Sequence, residues 1–528
     1  SQTHLNVGWA NPPSFGGCFT GLVDDVAVWD EALSAGQVYA LANGVAPDNL
    51  QAGAGTVAKW TGGTAAWSDA TQWDTNPTVP GPGYDAYVNN GGTAQVDSGT
   101  ANPDVLVVGG PLGDGTVQLG GGTLSPGNMT VGTGGTLLYT SGTLSPGALH
   151  FNGGTFRAGA AFTTPQAITL DSGGGTFDTQ GYAVHLTGAI DGPGGLTKTG
   201  SYALYLEAGN SYTGLTTVSQ GYLVLRHNNA LGSTAGPTRV LSGATLQLQD
   251  GPTVTGETVY LTGNGVAGTR GALAAWSGNN FWNGPVILEG DSRVVVNTNS
   301  TLTVSGPVSG NFGLAKTYAG TLTLSGSDAN TYTGTTVLDN GILVLNKSGA
   351  YAISGPVQMG GGNGNQPHLR MGAPDQFAPG VVMSVASSQS NHARFDLQGH
   401  NQTLAGIQSG SSYLVIQNER LGGGGTSAPA TLTLNGSGTY SFVGYLRDED
   451  DAGHTYPLSL TKSGTGTQTL AGSQIIYTGP TTITGGKLVL ADSASFNSPV
   501  ALAGGTVEFG VSGTNTQTYT RRIAGSSG

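Results

Sequence analysis

One pattern recurs three times, over residues 196–225, 314–345 and 460–490, and it keeps its own spacing. The copies read "LTKTGSYALYLEAGNSYTGLTTVSQGYLVL", "LAKTYAGTLTLSGSDANTYTGTTVLDNGILVL" and "LTKSGTGTQTLAGSQIIYTGPTTITGGKLVL". In each, a lysine (Lys198, Lys316, Lys462) follows the opening leucine by two residues. In each, a tyrosine (Tyr212, Tyr332, Tyr477) precedes an aligned leucine (Leu223, Leu343, Leu488) by eleven. The gap from Leu206, Leu324 or Leu470 to that tyrosine varies, at six, eight and seven residues. Constant spacing marks strands held in register, because a slip of one residue exchanges the two faces of a strand. The variable piece is then a surface turn.

Alignment of the copies also assigns faces. One position holds Tyr222, Ile342 and Lys487, a set that only an outward site tolerates. Its neighbours Leu223, Leu343 and Leu488, with Leu225, Leu345 and Leu490 two residues on, face a core together with Leu206, Leu324 and Leu470. Copy three carries Gln468 where the others have Leu204 and Leu322, so that coil is expected to be the least well packed. The repeated lysine is expected to lay its stem over apolar surface and keep its ammonium in water. Between Val88 and the first copy, "GTLSPG" occurs at Gly122 and again at Gly142, an offset of 20 residues that suits one coil of a β-solenoid.

Composition supports a β-rich reading. Glycine supplies 93 of 528 residues without a collagen period, and 37% hydrophobic content argues against disorder. Only 9% of residues are charged, against roughly 25% in ordinary domains. The net charge of -13, with 17 scattered Lys and Arg residues, disfavours nucleic acid as a partner. A single cysteine, Cys18, leaves stability to packing and hydrogen bonds. No apolar run is long enough for a transmembrane helix.

The repeated motif is similar to the autotransporter-associated β-strand repeat of bacterial passenger domains. That resemblance implies an all-β, right-handed parallel β-helix (β-solenoid) over residues 88–528, at the extracellular surface of a Gram-negative-type bacterium. Near the start, "FTGLVDDVAVWDEALSAGQVYALANG" resembles the closing segment of laminin-G-like, concanavalin-type jelly rolls through Phe19, Gly21, Asp24, Asp25, Val26, Val28, Trp29, Leu33, Ser34 and Tyr39. The match is partial, so residues 1–49 are expected to be the end of such a domain, carrying one short helix with Leu33, Val38 and Leu41 on one side. Asp24 and Asp25 either hold the final strand by hydrogen bonds or touch calcium. Both Ser1 and Gly528 are expected to lie inside a longer protein.

Residues 50–87 form a linker and a Trp-rich segment. Trp60, Trp67 and Trp73 there either plug the open end of the solenoid or make a glycan-contact platform. Chemistry-bearing patterns are scarce. The eight histidines are dispersed, no nucleophile elbow stands out, and the glycine runs at Gly360 and Gly422 read as turns rather than phosphate loops. "RDEDDAGH", Arg447 to His454, matches part of a calcium loop, but Ser459 stands where its bidentate Glu belongs. No local stretch combines acidic residues with Arg or Lys as a polysaccharide lyase cleft does. The expectation is therefore no catalytic residues, no metal, no cofactor and no enzyme. A structural or adhesive rod is expected, whose partners are other copies of itself or surface glycans. Carbohydrate binding is the alternative reading and polysaccharide cleavage a third.

Overall fold

Strand follows strand with turns between them, and every ladder joining the strands is parallel. The computed structural model describes residues 55–361, 365–419, 428–448, 456–491, 495–496, 498–510 and 523–525, and single residues at Leu33, Val38 and Leu41. The segment expected to end a jelly roll, its expected helix as a unit, and Asp24 and Asp25 lie outside the described residues. The described chain is an all-β parallel β-solenoid of about 18 turns. At the ~4.8 Å spacing of neighbouring strands it is a rod on the order of 85 Å long.

The register explains the repeat. Each copy wraps more than one coil and stacks on itself. Leu196–Thr199 lies beneath Thr216–Val218, and Ala203–Leu206 beneath Gly221–Leu225. Leu204 pairs with Leu223, Leu322 with Leu343 and Gln468 with Leu488, offsets of 19, 21 and 20 residues. Those offsets follow the variable gap of six, eight and seven one for one. A residue added to the turn lengthens the coil without moving the paired strands, so both faces keep their identity. The two "GTLSPG" stretches stack likewise, with Thr123 against Thr143 and Leu124 against Leu144.

Inward side chains stack from coil to coil into one continuous core. Leu206, Leu223, Leu225, Leu324, Leu343, Leu345, Leu470, Leu488 and Leu490 are all buried in it. Tyr222, Ile342 and Lys487 sit on the opposite face, partly exposed. Gln468 is not the packing defect its sequence suggests. It is buried, accepts from the Ile407 N–H at 3.2 Å and donates to the Ile407 carbonyl at 2.9 Å. A polar side chain is tolerated there because both ends of its amide are satisfied.

The solenoid begins earlier than residue 88. Thr56–Lys59 pairs with Tyr84–Val88, so the Trp-rich segment is already part of the first coil. Among the described residues no helix is long and apolar enough to cross a membrane.

Candidate functional site

The three tryptophans are turned inward. Trp60, Trp67 and Trp73 are 2%, 3% and 2% exposed, and Trp73 meets the other two edge to face at 5.0 and 4.7 Å. Each indole N–H donates to a backbone carbonyl, of Gly63, Pro80 and Trp67 respectively. With ring faces packed against protein and polar edges satisfied, they offer no platform to a sugar. Their place in the first coil suits closure of the core instead.

The recurring polar residues of the repeat are also internal, which corrects the expectation of a solvated lysine. Lys198, Lys316 and Lys462 are buried, and their ammonium groups are caged by backbone carbonyls. Lys198 Nζ donates to the Thr199, Gly200 and Gln220 carbonyls at 2.6, 2.8 and 3.0 Å. Lys316 Nζ donates to those of Tyr318, Gly320 and Asn340 at 2.5, 2.6 and 2.9 Å. Lys462 Nζ donates to those of Ser463 and Gly464. The first two cages each reach into the next coil, so the lysine ties a corner to the layer above. Burial pulls the pKa of Lys198 and of Lys316 down to about 7, opposed by Asp178 and Asp339 respectively.

The repeat tyrosines are buried as well, and each hydroxyl is hydrogen-bonded to a threonine four residues on. The pairs are Tyr212 with Thr216, Tyr332 with Thr336 and Tyr477 with Thr481, at 2.7, 2.7 and 2.6 Å. In copies one and two an asparagine bridges three coils. Asn210 accepts from the Ile190 N–H and donates to the Ala230 carbonyl, and Asn330 does the same with Val308 and Ala352. The repeat's polar signature is thus a set of internal braces rather than a reactive site.

Charged residues missed by local reading converge on the outer face of later coils. Register places Arg370, Asp396, Gln417 and Arg447 in one column, with His368 and Arg394 in the column beside it. Gln417 donates to Asp396 at 2.6 Å and also to Glu419, while Arg447 Nε donates to the Gln417 side-chain oxygen at 2.9 Å. Burial pushes the Asp396 carboxyl up to about 7, with Glu419 adding to the effect. Burial, with Arg370 and Arg394 beside it, pulls the His368 imidazole down to about 4. Acid and base do therefore meet, although no local stretch of sequence combines them. The members stand tens of residues apart, and only coil register joins them. Asp396 and Gln417 are fully buried, so the column acts as a polar seam between coils and offers no open cleft.

A more exposed column runs over the first repeat. His185 stacks on Tyr205 at 4.1 Å, Arg226 lies over the same ring at 4.8 Å, and Glu207 accepts from Arg226 at 2.8 Å. Asp448, from the acidic stretch considered for calcium, accepts from the backbone N–H groups of Leu458 and Thr478, while Asp450 and Gly453 lie outside the described residues. Among the described residues no cluster of His, Cys, Asp and Glu has the makings of a metal site.

Fold and braces together define a repeat-built β-solenoid. Residues 196–225, 314–345 and 460–490 match the passenger-associated-transport-repeat family, so the chain carries three copies of that repeat. Over 343 residues, 63% of its length, the chain is 30% identical to the adhesin BmaC autotransporter of Brucella suis biovar 1 (strain 1330). It spans about 8% of that relative's length. No solved structure matches the chain.

Proposed function

We propose that this chain is part of a surface-exposed, non-catalytic adhesive passenger of a Gram-negative bacterium. The observation that carries the reading is the 30% identity to an autotransporter adhesin over 63% of this chain. The structure supports it in two ways. The polar residues the repeat retains are used internally, and Asp396 in the later column is fully buried and takes a hydrogen bond from Gln417. What the rod presents outward is a succession of stacked side chains, such as His185, Tyr205 and Arg226, suited to many weak contacts along its length. The partial jelly roll ahead of the solenoid is proposed as a second presented module.

The reading is tested by displaying the chain on a non-adherent Gram-negative cell and counting cells retained on an animal cell layer after washing. Retention well above that of the undecorated strain is expected; retention equal to it would overturn the assignment.

A further inference from the structure

The outer face of the first sheet is buried where it would be expected to meet water. Strands Thr56–Lys59, Tyr84–Val88, Val105–Val108, Asn128–Gly132, Ala148–Asn152 and Ile168–Leu170 run side by side in that order. Ala86, Leu106, Met129 and Leu149 point into the core. By alternation Tyr87, Val107, Thr130 and His150 point out, and register sets them in one column. Tyr87 and Val107 are nevertheless 0% exposed and Thr130 1%, and His150 is buried with them. Lateral neighbours alone do not hide a side chain in this way. Phe281, outward between Thr253 and Thr303 on another sheet, is 37% exposed. Tyr87 and Val107 form an apolar cluster apart from the rod's core, and among the described residues only Val57 and Val105 of the same face pack against it. Burial also pushes the Asp85 carboxyl on this face up to about 6, with Asp104 adding to the effect.

These exposures are those of a single chain, so the cover belongs to the chain itself. Its extent locates it. Further along the column Thr169 is half-buried and Asp191 exposed, so the cover lies over the first strands of the sheet and stops there. Four neighbouring strands span roughly 15 Å of the rod. Residues 1–54 join the rod at this place. Gly55 leads into Thr56–Lys59, the edge strand of the same sheet, and a Cβ on Gly55 would stand 2.6 Å from Asp85 Oδ1. The chain therefore arrives directly beside the buried face. The next stretch outside the described residues begins at residue 362, several coils further along. Residues 1–54 also have apolar side chains to bury, among them Val23, Val26, Val28 and Trp29.

We propose that residues 1–54 dock along the outer face of the first sheet, over Tyr87, Val107, Thr130 and His150, and exclude water from it. The docked segment and the first coils form one rigid unit. Whatever residues 1–54 present is then carried at a fixed angle to the rod instead of on a free tether. The inference does not rest on the adhesive reading and is tested without any adhesion readout, so either can fail alone.

The test uses the full chain carrying Cys18→Ser. Thr130→Cys and, as the exposed reference, Phe281→Cys are each added to it, and reaction with a soluble maleimide is timed once the melting midpoint has shown the variant to be folded. Thr130→Cys is expected to react at least about tenfold more slowly than Phe281→Cys, because a thiol shut from solvent is inert. In a second, independent arm p-benzoylphenylalanine replaces Val105 at the rim of the cluster. The photo-cross-linked product is sized under denaturing conditions and mapped by mass spectrometry. A cross-link within one chain to a peptide from residues 1–54 is expected. Cross-links between two copies, cross-links confined to other parts of the rod, or none at all would overturn the assignment, as would equal reactivity of Thr130→Cys and Phe281→Cys.

Discussion

A lysine that recurs at one position in an otherwise charge-poor repeat is easily seen, but its role is not. Sequence shows that Lys198, Lys316 and Lys462 recur; it does not show the corner carbonyls that turn inward to receive them. An exposed lysine and a caged one leave the same letter, and the difference lies in backbone geometry one to twenty-four residues away. Lys316→Met would keep the stem's apolar contacts and leave three carbonyls without their donor. We expect a loss of roughly 3 kcal/mol, read by denaturant titration. The lowered pKa also fixes a pH dependence. Between about pH 7 and the unfolded value near 10.5 the unfolded chain holds protons that the folded chain releases, so stability contributed here rises with pH. The wild type should therefore gain stability from pH 7 to pH 9 relative to a Lys198→Met, Lys316→Met double variant. A difference between the two that stays constant across that range would refute the shift.

At the scale of the coil, the sequence is far more informative. Constant and variable spacings inside the copies identify paired strands and turns, and the register offsets of 19, 21 and 20 residues reproduce the variation. Gly341 shows how tightly one coil is fitted to the next. Its φ is 70°, and a Cβ there would stand 2.4 Å from the Tyr318 carbonyl oxygen and 2.5 Å from Lys316 Nζ. Gly341→Ala should destabilise the chain by about 2 kcal/mol or more through backbone strain and disturbance of the cage, visible as a lowered melting midpoint. Gln468 gives the opposite lesson to its alignment. Gln468→Leu restores the residue of the other copies yet removes the partner of both Ile407 backbone groups. It should cost about 1–3 kcal/mol rather than stabilise. A more stable Gln468→Leu variant would show that the cross-coil bonds add nothing. The Asp396 column was invisible for a related reason: its members are neighbours only after the chain has gone round.

For the molecule as a whole, repetition made the architecture legible and made the sites obscure. Thr, Gly and Leu in regular order specify stacked coils whatever their outer surface binds, so the fold could be read from three copies of one unit. The Trp-rich segment was legible as something atypical, but only the pairing of Thr56–Lys59 with Tyr84–Val88 places it within the first coil. The central claim is that the folded rod itself is the adhesive element. Its most direct test is retention on an animal cell layer of latex particles coated with native chain, beside particles coated with the same chain after irreversible heat unfolding. The account predicts strong retention of the first and background retention of the second; equal retention of both, or of neither above bare particles, would contradict it.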